Sequence, residues 1–339
     1  MPNIAFRVSN TPIYRTILIA QAIIESDSEY KIFFLCSDAA NKNIVDQFGF
    51  HFVSLPPITS NYEDLEETST LLSTLAIDIL IIDNPQVDSK YLKSISDKAK
   101  FLVLIDDLCK LSKYQADLII NPNVYSIDFD YNTPQETKIL LGSEFFVLPK
   151  VFDDFSDYTR ENPSVAKKIL VYLGSKDKDG VTINVVTALK QIKENFSATL
   201  VLDRSFDKGQ KLAEVIGLDD RFVIINENDE IKKKISFCDL GIIGSCDLFY
   251  EFAFFRIPCI SLMINDNQKT LSSALASYSF TYASTTSIDS LTRTISTLMN
   301  DKVARDRLSN RLEELIDGLG RFRVAEEIIS AYKGKYKSS

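Results

Sequence analysis

Histidine is nearly missing from this chain of 339 residues, with His51 the single one. Catalysis by a histidine dyad, and zinc held by several imidazoles, are therefore excluded. His51 lies in the strand-like run FGFHFVSL (48–55), where a packed ring with a satisfied nitrogen is expected. Cysteine is scarce as well. The five, at 36, 109, 238, 246 and 259, form no CxxC pair and have no histidine nearby. Cys36, Cys238 and Cys259 fall in or beside apolar runs, as buried thiols in a reducing compartment do. No run reaches the roughly 18 apolar residues that cross a bilayer. Met1 to Arg7 lacks the basic-then-apolar pattern of a leader, so a soluble cytoplasmic protein is expected. Positive charge is in deficit too: the net charge is −9, which argues against nucleic acid and anionic membrane as partners. A phosphate ligand stays open, because helix N-termini bind anions whatever the overall sign.

What the chain does have is an α/β alternation, at a length that suits two domains. Short apolar runs at Ile4–Val8, Lys31–Cys36, Phe50–Leu55, Ile79–Ile82, Phe101–Ile105 and Leu118–Ile120 read as strands separated by helical stretches. Parallel sheets with helices on both faces follow. In such sheets ligands bind outside the carboxyl ends of the strands. Asp83, Asn84, Asp106, Asp107, Asn121 and Asn123 all fall at those ends, as a polar rim. The polar stretch Phe152–Ser164 carries no strand pattern and marks a domain boundary. The expected division is 1–155 and 156–339, the second domain ending in a helical tail from Ile288, broken at Gly318-Leu319-Gly320. The acidic stretch Glu63–Thr70 and the basic Lys232-Lys233-Lys234 read as solvated faces.

The second half is organised around Asp239–Ile260: a strand, the small turn Gly244-Ser245-Cys246-Asp247, a short helix, and the next strand. Gly244 permits a tight turn, and amides at a helix start can hold a phosphate. Glu251, one helical turn after Asp247, can accept hydrogen bonds from a ribose diol. The run LVYLGSKDKDG (170–180) offers a similar strand, a Gly174-Ser175 turn and a helix, with Lys176 as an added point charge. It has neither Walker nor GxGxxG spacing. The aromatic cluster Phe249, Tyr250, Phe252, Phe254 and Phe255 reads as core, with Tyr250 within reach of a base.

Taken together, IIDN (81–84), LIDD (104–107), LIINPNVY (118–125), LGSKD (173–177), the Glu251 helix, IPCI (257–260), NQ (267–268) and DGLGRFRV (317–324) resemble a known family. It is the nucleotide-sugar hydrolase of pseudaminic acid biosynthesis, with its spore-coat polysaccharide relatives. The resemblance implies two Rossmann-like lobes of GT-B glycosyltransferase type. It implies UDP held mostly by the C-terminal lobe, at Gly174, Ser175, Gly244, Ser245 and Glu251, with Asn267 and Gln268 near the diphosphate or sugar. Asn121, Asn123 and Tyr125 would line the sugar side, together with Asp83 and Asp107. The UDP-sugar is substrate, and no cofactor or metal is implied; a glycan or protein acceptor is a possible partner.

One departure bears on the reaction. The family carries a Gly-His pair before its first helix, the histidine serving as base, whereas this chain reads FRVSNTPIYR (6–15), with Pro12 near that place. Three options stay open: a carboxylate base such as Asp83 or Asp107, an acceptor deprotonated by another group, or a nucleotide-sugar-binding protein without turnover. An epimerase, which also begins by expelling UDP, is a further alternative.

Overall fold

A computed structural model describes residues 2–9, 12–174, 177, 179–203, 205–226 and 230–337. The chain forms two compact units, Met1–Lys150 with Gly318–Ser339, and Val151–Asp317.

Unit 1 begins with β1 (Asn3–Val8), α1 (Tyr14–Ser26), β2 (Lys31–Cys36), α2 (Ala40–Gln47) and β3 (His51–Ser54). It continues through α3 (Asn61–Thr74), β4 (Ile77–Asp83), α4 (Ser89–Ser96), β5 (Phe101–Ile105), β6 (Leu118–Asn121) and β7 (Lys138–Leu141). The strands make one parallel seven-stranded sheet in the order β3-β2-β1-β4-β5-β6-β7. β1, β4 and β5 are almost wholly buried, which explains why they read as continuous apolar runs instead of alternating ones. One face packs Ile17, Ala20 and Ile23 of α1, and the other packs Leu92 and Ile95 of α4. Two helix starts are capped by side chains: Ser60 accepts from the Glu63 amide at 3.2 Å, and Asp88 from the Tyr91 amide at 2.7 Å.

Unit 2 runs β8 (Lys168–Tyr172), α5 (Val181–Lys190), β9 (Ser197–Leu202), α6 (Gly209–Ile216), β10 (Phe222–Asn226) and α7 (Glu230–Ile235). Then come β11 (Leu240–Gly244), α8 (Leu248–Phe254), β12 (Cys259–Leu262), α9 (Lys269–Ser277), β13 (Tyr282–Ala283), α10 (Ile288–Asn300) and α11 (Lys302–Glu313). Its sheet is parallel, in the order β10-β9-β8-β11-β12-β13. The aromatic cluster of α8 is core: Phe249, Tyr250, Phe252 and Phe255 are fully buried.

The last helix, α12 (Gly320–Lys337), departs from expectation. The sequence reading attached the whole tail to the second domain, but α12 returns to unit 1 and packs along α1. Val324, Ala325, Ile328 and Ile329 complete the core on that face. The approach is close at Gly320, where a Cβ would stand 2.1 Å from the Phe146 carbonyl oxygen, so only glycine fits. The first crossing between the units falls at 150/151 instead of 155/156.

Two smaller expectations also change. His51 lies exposed on the edge strand β3, its ring stacked on Phe33 at 5.3 Å, and is not packed inside. The stretch Glu63–Thr70 is not solvated all round: Asp64 and Thr68, one turn apart, are buried. Asp64 pairs with Arg7, itself fully buried, through bonds of 2.7 and 3.1 Å, and accepts from Thr68 at 3.0 Å and Asn84 at 3.3 Å. The remaining Arg7 nitrogen donates to the Val8 and Leu35 carbonyls, so the guanidinium ties β1, β2 and α3 together. Removing one partner of such a buried pair costs about 3–5 kcal/mol.

Candidate functional site

In unit 1 the strand order reverses between β1 and β4, which is where an open parallel sheet presents its ligand crevice. Arg15, in the first turn of α1, sits over this point. Its Nε and Nη2 donate to the two oxygens of Asp83, both at 2.6 Å. Its Nη1 donates to both oxygens of Asp107, at 2.9 and 3.0 Å. One guanidinium thus clamps the carboxylates at the ends of β4 and beyond β5. Burial works against its charge, but Asp83 and then Asp107 outweigh that and push the Arg15 pKa above its ordinary value. Asp83 is sealed, its side chain 1% exposed, whereas Asp107 is 36% exposed.

The network continues through the predicted residues. Asn123 Nδ2 donates to Asp107 and to Asn121 Oδ1, both at 3.0 Å, and Asn121 donates to the Tyr131 hydroxyl at 2.9 Å. The Tyr125 hydroxyl donates to the Asp107 carbonyl at 3.2 Å. Asp106 faces away from Asp107 and accepts from Tyr114 and Tyr131 at 3.1 and 2.9 Å. Burial, reinforced by that carboxylate, raises the pKa of both phenols. All five unit 1 candidates, Asp83, Asp107, Asn121, Asn123 and Tyr125, are therefore brought together. Beside them, at the ends of β1 and β2, a cavity of about 530 Å³ is lined by Ser9, Pro12, Tyr14, Asp38 and Asn41 among others. It contains no imidazole.

Sequence reasoning gave Arg15 no role, and it missed Tyr114 and Tyr131. Arg15 follows β1 by one short loop, which was a usable signal; the tyrosines carried none.

In unit 2 the strand order reverses between β8 and β11, and the two glycine turns follow those strands. Their glycines serve different ends. Gly174 adopts φ +83° in open space, so the requirement is conformational. At Gly244 the requirement is room: a Cβ would lie 2.7 Å from the Leu173 carbonyl oxygen. The turns are thus pressed against each other. Ser175 and Lys176 lie outside the described residues.

The α5 amides are already engaged. Asp177, buried, accepts from the Val181 and Thr182 amides at 2.6 and 2.9 Å and from the Thr182 hydroxyl at 2.6 Å. A carboxylate of the chain itself fills the anion position at this helix start, where the sequence reading had left room for a phosphate. The signal was present as an aspartate four residues ahead of an apolar helix. Ser245 is buried, its amide and hydroxyl both directed at the Leu262 carbonyl at 3.0 and 3.4 Å. Glu251 is half-buried on α8. Gln268 Oε1 accepts from the Ile264 amide at 2.8 Å, shaping the loop after β12, while Asn267 is exposed. Between them, both carboxamide atoms of Asn265 are shielded from solvent and without a partner among the described residues.

The two units, each a Rossmann-like parallel sheet with helices on both faces and one helix returning from the C-terminus, define a fold of GT-B glycosyltransferase type. MurG of Acinetobacter baumannii is similar over 97% of this chain and 100% of its own, with a TM-score of 0.72 and 11% identity. The UDP-GlcNAc 2-epimerase of Neisseria meningitidis, bound to UDP-GlcNAc, matches over 98% and 99%, with a TM-score of 0.66 and 10% identity. S. aureus MnaA, in a co-structure with UDP, matches over 99% and 97%, with a TM-score of 0.66 and 13% identity. In sequence, an uncharacterized protein of Methanocaldococcus jannaschii is 23% identical over 265 residues, 76% of this chain and 53% of the relative. The chain therefore spans about half the length of that relative. No family model matches. Among the described residues, no helix is long and apolar enough to cross a membrane.

Proposed function

We propose that this protein acts on a nucleotide-diphospho-sugar, breaking the bond between the anomeric carbon and the diphosphate oxygen and passing the sugar to an acceptor hydroxyl or to water. The observation that carries this reading is the pair of glycine turns packed at the strand-order reversal of unit 2, in a GT-B fold whose similar structures include two that hold UDP or UDP-GlcNAc. In it, Gly174, Ser175, Gly244 and Glu251 hold the nucleotide, Ser245, buried and bonded to the Leu262 carbonyl, braces the second turn, and Asn267 and Gln268 flank the diphosphate. Because Asp177 occupies the α5 amides, the diphosphate is met by the turns and not by that helix start.

The anomeric C–O bond breaks with its electron pair departing on the diphosphate. The acceptor oxygen forms the new bond to that carbon, and its proton passes to Asp107, the more exposed of the two carboxylates. Asp83 fixes Arg15, which orients Asp107, and Asn121, Asn123 and Tyr125 hold the acceptor side. Stabilising the leaving diphosphate supplies the largest share of the rate. Surface-glycan or nonulosonic acid synthesis is the setting the resemblance favours.

One observation favours a second reading. Arg15 occupies both oxygens of Asp83 and both of Asp107, which suits a nucleotide-sugar-binding protein without turnover.

The test is incubation with UDP-, CMP- and GDP-sugars, following binding and nucleotide release. UDP release without acceptor indicates hydrolysis, and release only with acceptor indicates transfer. Binding without either supports the second reading, and binding of none sinks both. For an enzyme, Asp107→Ala is expected to lower kcat by about 10²- to 10⁴-fold with binding retained. For a binder it changes nothing.

A further inference from the structure

Unit 2 carries a second cavity, at the other end of its sheet from the glycine turns. α9 runs back from the carboxyl end of β12, and the chain re-enters the sheet as β13, so Ser279 and Thr281 lie at the amino end. There, about 340 Å³ of space is lined by Ser279, Thr281, Tyr282 and Ala283 on one side and by Arg307 and Arg311 of α11 on the other.

The two arginines are four residues apart on one helix, so their side chains share a face and their like charges repel. Two nearby carboxylates are committed elsewhere: Asp306 pairs with Lys302 at 2.7 Å and accepts from Asn162 at 3.0 Å, and Glu313 pairs with Arg256 at 3.0 Å. Arg311 donates through Nη1 to the Tyr278 carbonyl at 2.7 Å. Among the described residues Arg307 makes no hydrogen bond or ion pair. The sheet adds a donor. Among the described residues β13 pairs only with β12, and Ser284 turns its amide inward to the Ser261 carbonyl at 3.5 Å. In a strand paired on one side, the residue before it, Ala283, turns its amide outward to the open edge.

We propose that this cavity binds a phosphate-type oxyanion, held by the Arg307 and Arg311 guanidinium groups with the Ala283 amide behind them. A tetrahedral oxyanion relieves the repulsion of the pair and accepts from both forks at once. The site is separate from the nucleotide turns and stands whether or not those turns bind a nucleotide. Free phosphate and the phosphate of a small metabolite share this chemistry.

Three alanines around the cavity, Ala276, Ala283 and Ala304, provide a local reporter. The full chain, labelled with ¹³C at alanine methyls, is titrated by NMR with inorganic phosphate, with a hexose phosphate, and with chloride as control. Saturable shifts of these three methyls with phosphate, absent with chloride, are expected. Arg307→Gln should weaken binding at least about tenfold, as loss of charged hydrogen bonds does. Its thermal midpoint should not move, since Arg307 is exposed. Tighter binding of the hexose phosphate assigns the site to a metabolite, and equal binding to phosphate itself. No saturable shift in the unaltered protein, or the same shift in Arg307→Gln, overturns the proposal.

Discussion

At the scale of the residue, burial decides what each reactive group is able to do. All five cysteines are free, and three of them lie in the core. Burial pushes the Cys36 thiol up to about 11 and the Cys238 thiol up to about 12, and raises Cys259 well above its ordinary range. The folded state therefore keeps these protons after an unfolded chain, with thiols near 9, has begun to lose them. These thiols leave stability unaffected below about pH 8 and lower it as pH rises from about 9 to 11. Urea titrations at pH 8, 9.5 and 10.5 should give a declining free energy of unfolding. At pH 8, alkylation read by mass spectrometry should mark Cys109 and Cys246, both partly exposed, and spare the other three. Equal labelling of all five in native buffer would contradict the burial assigned here. The same principle separates Asp83 from Asp107: similar residues at similar strand ends, one sealed behind Arg15 and the other open to solvent.

At the scale of the element, α12 depends on one atom's worth of space. In Gly320→Ala the new methyl meets backbone, the Phe146 carbonyl, which has no flexible end to swing away. The helix start must shift, and with it Val324 and Ile328. A loss of about 2–5 kcal/mol, the range of a disrupted core, is expected in urea unfolding. An unchanged midpoint would mean that the helix docks differently. The sequence announced α12 by its pattern but not its address, because an amphipathic face says that something covers it and not what. Strands β4, β5 and β11 were legible from their unbroken apolar runs and the turn residues after them. β7 (KILL) is a half-exposed edge strand, β13 has two residues, and α4 (SKYLKSIS) is largely polar, so none carried a pattern strong enough to read. The polar rim was legible as positions at strand ends. Its wiring was not, since Arg15 is 68 residues from Asp83 and 92 from Asp107, and no local spacing encodes such pairs.

At the scale of the whole molecule, the two units differ in how they are cut from the chain. Unit 2 is one continuous segment with its own core, whereas unit 1 is assembled from two segments. Residues 151–317 expressed alone should unfold in a single cooperative transition. Residues 1–150 alone should aggregate, having lost Val324, Ala325, Ile328 and Ile329 from the core, and should recover when a peptide of residues 318–339 is supplied. A monomeric, cooperatively folded 1–150 would refute the dependence. For a ribosome, this layout reverses the usual order of assembly. The sheet translated first is the one finished last, waiting through the synthesis of all of unit 2 for its closing helix. A chain cut short by a premature stop codon just before residue 320 releases an open, apolar face to the cell's quality control, however well its second unit has folded.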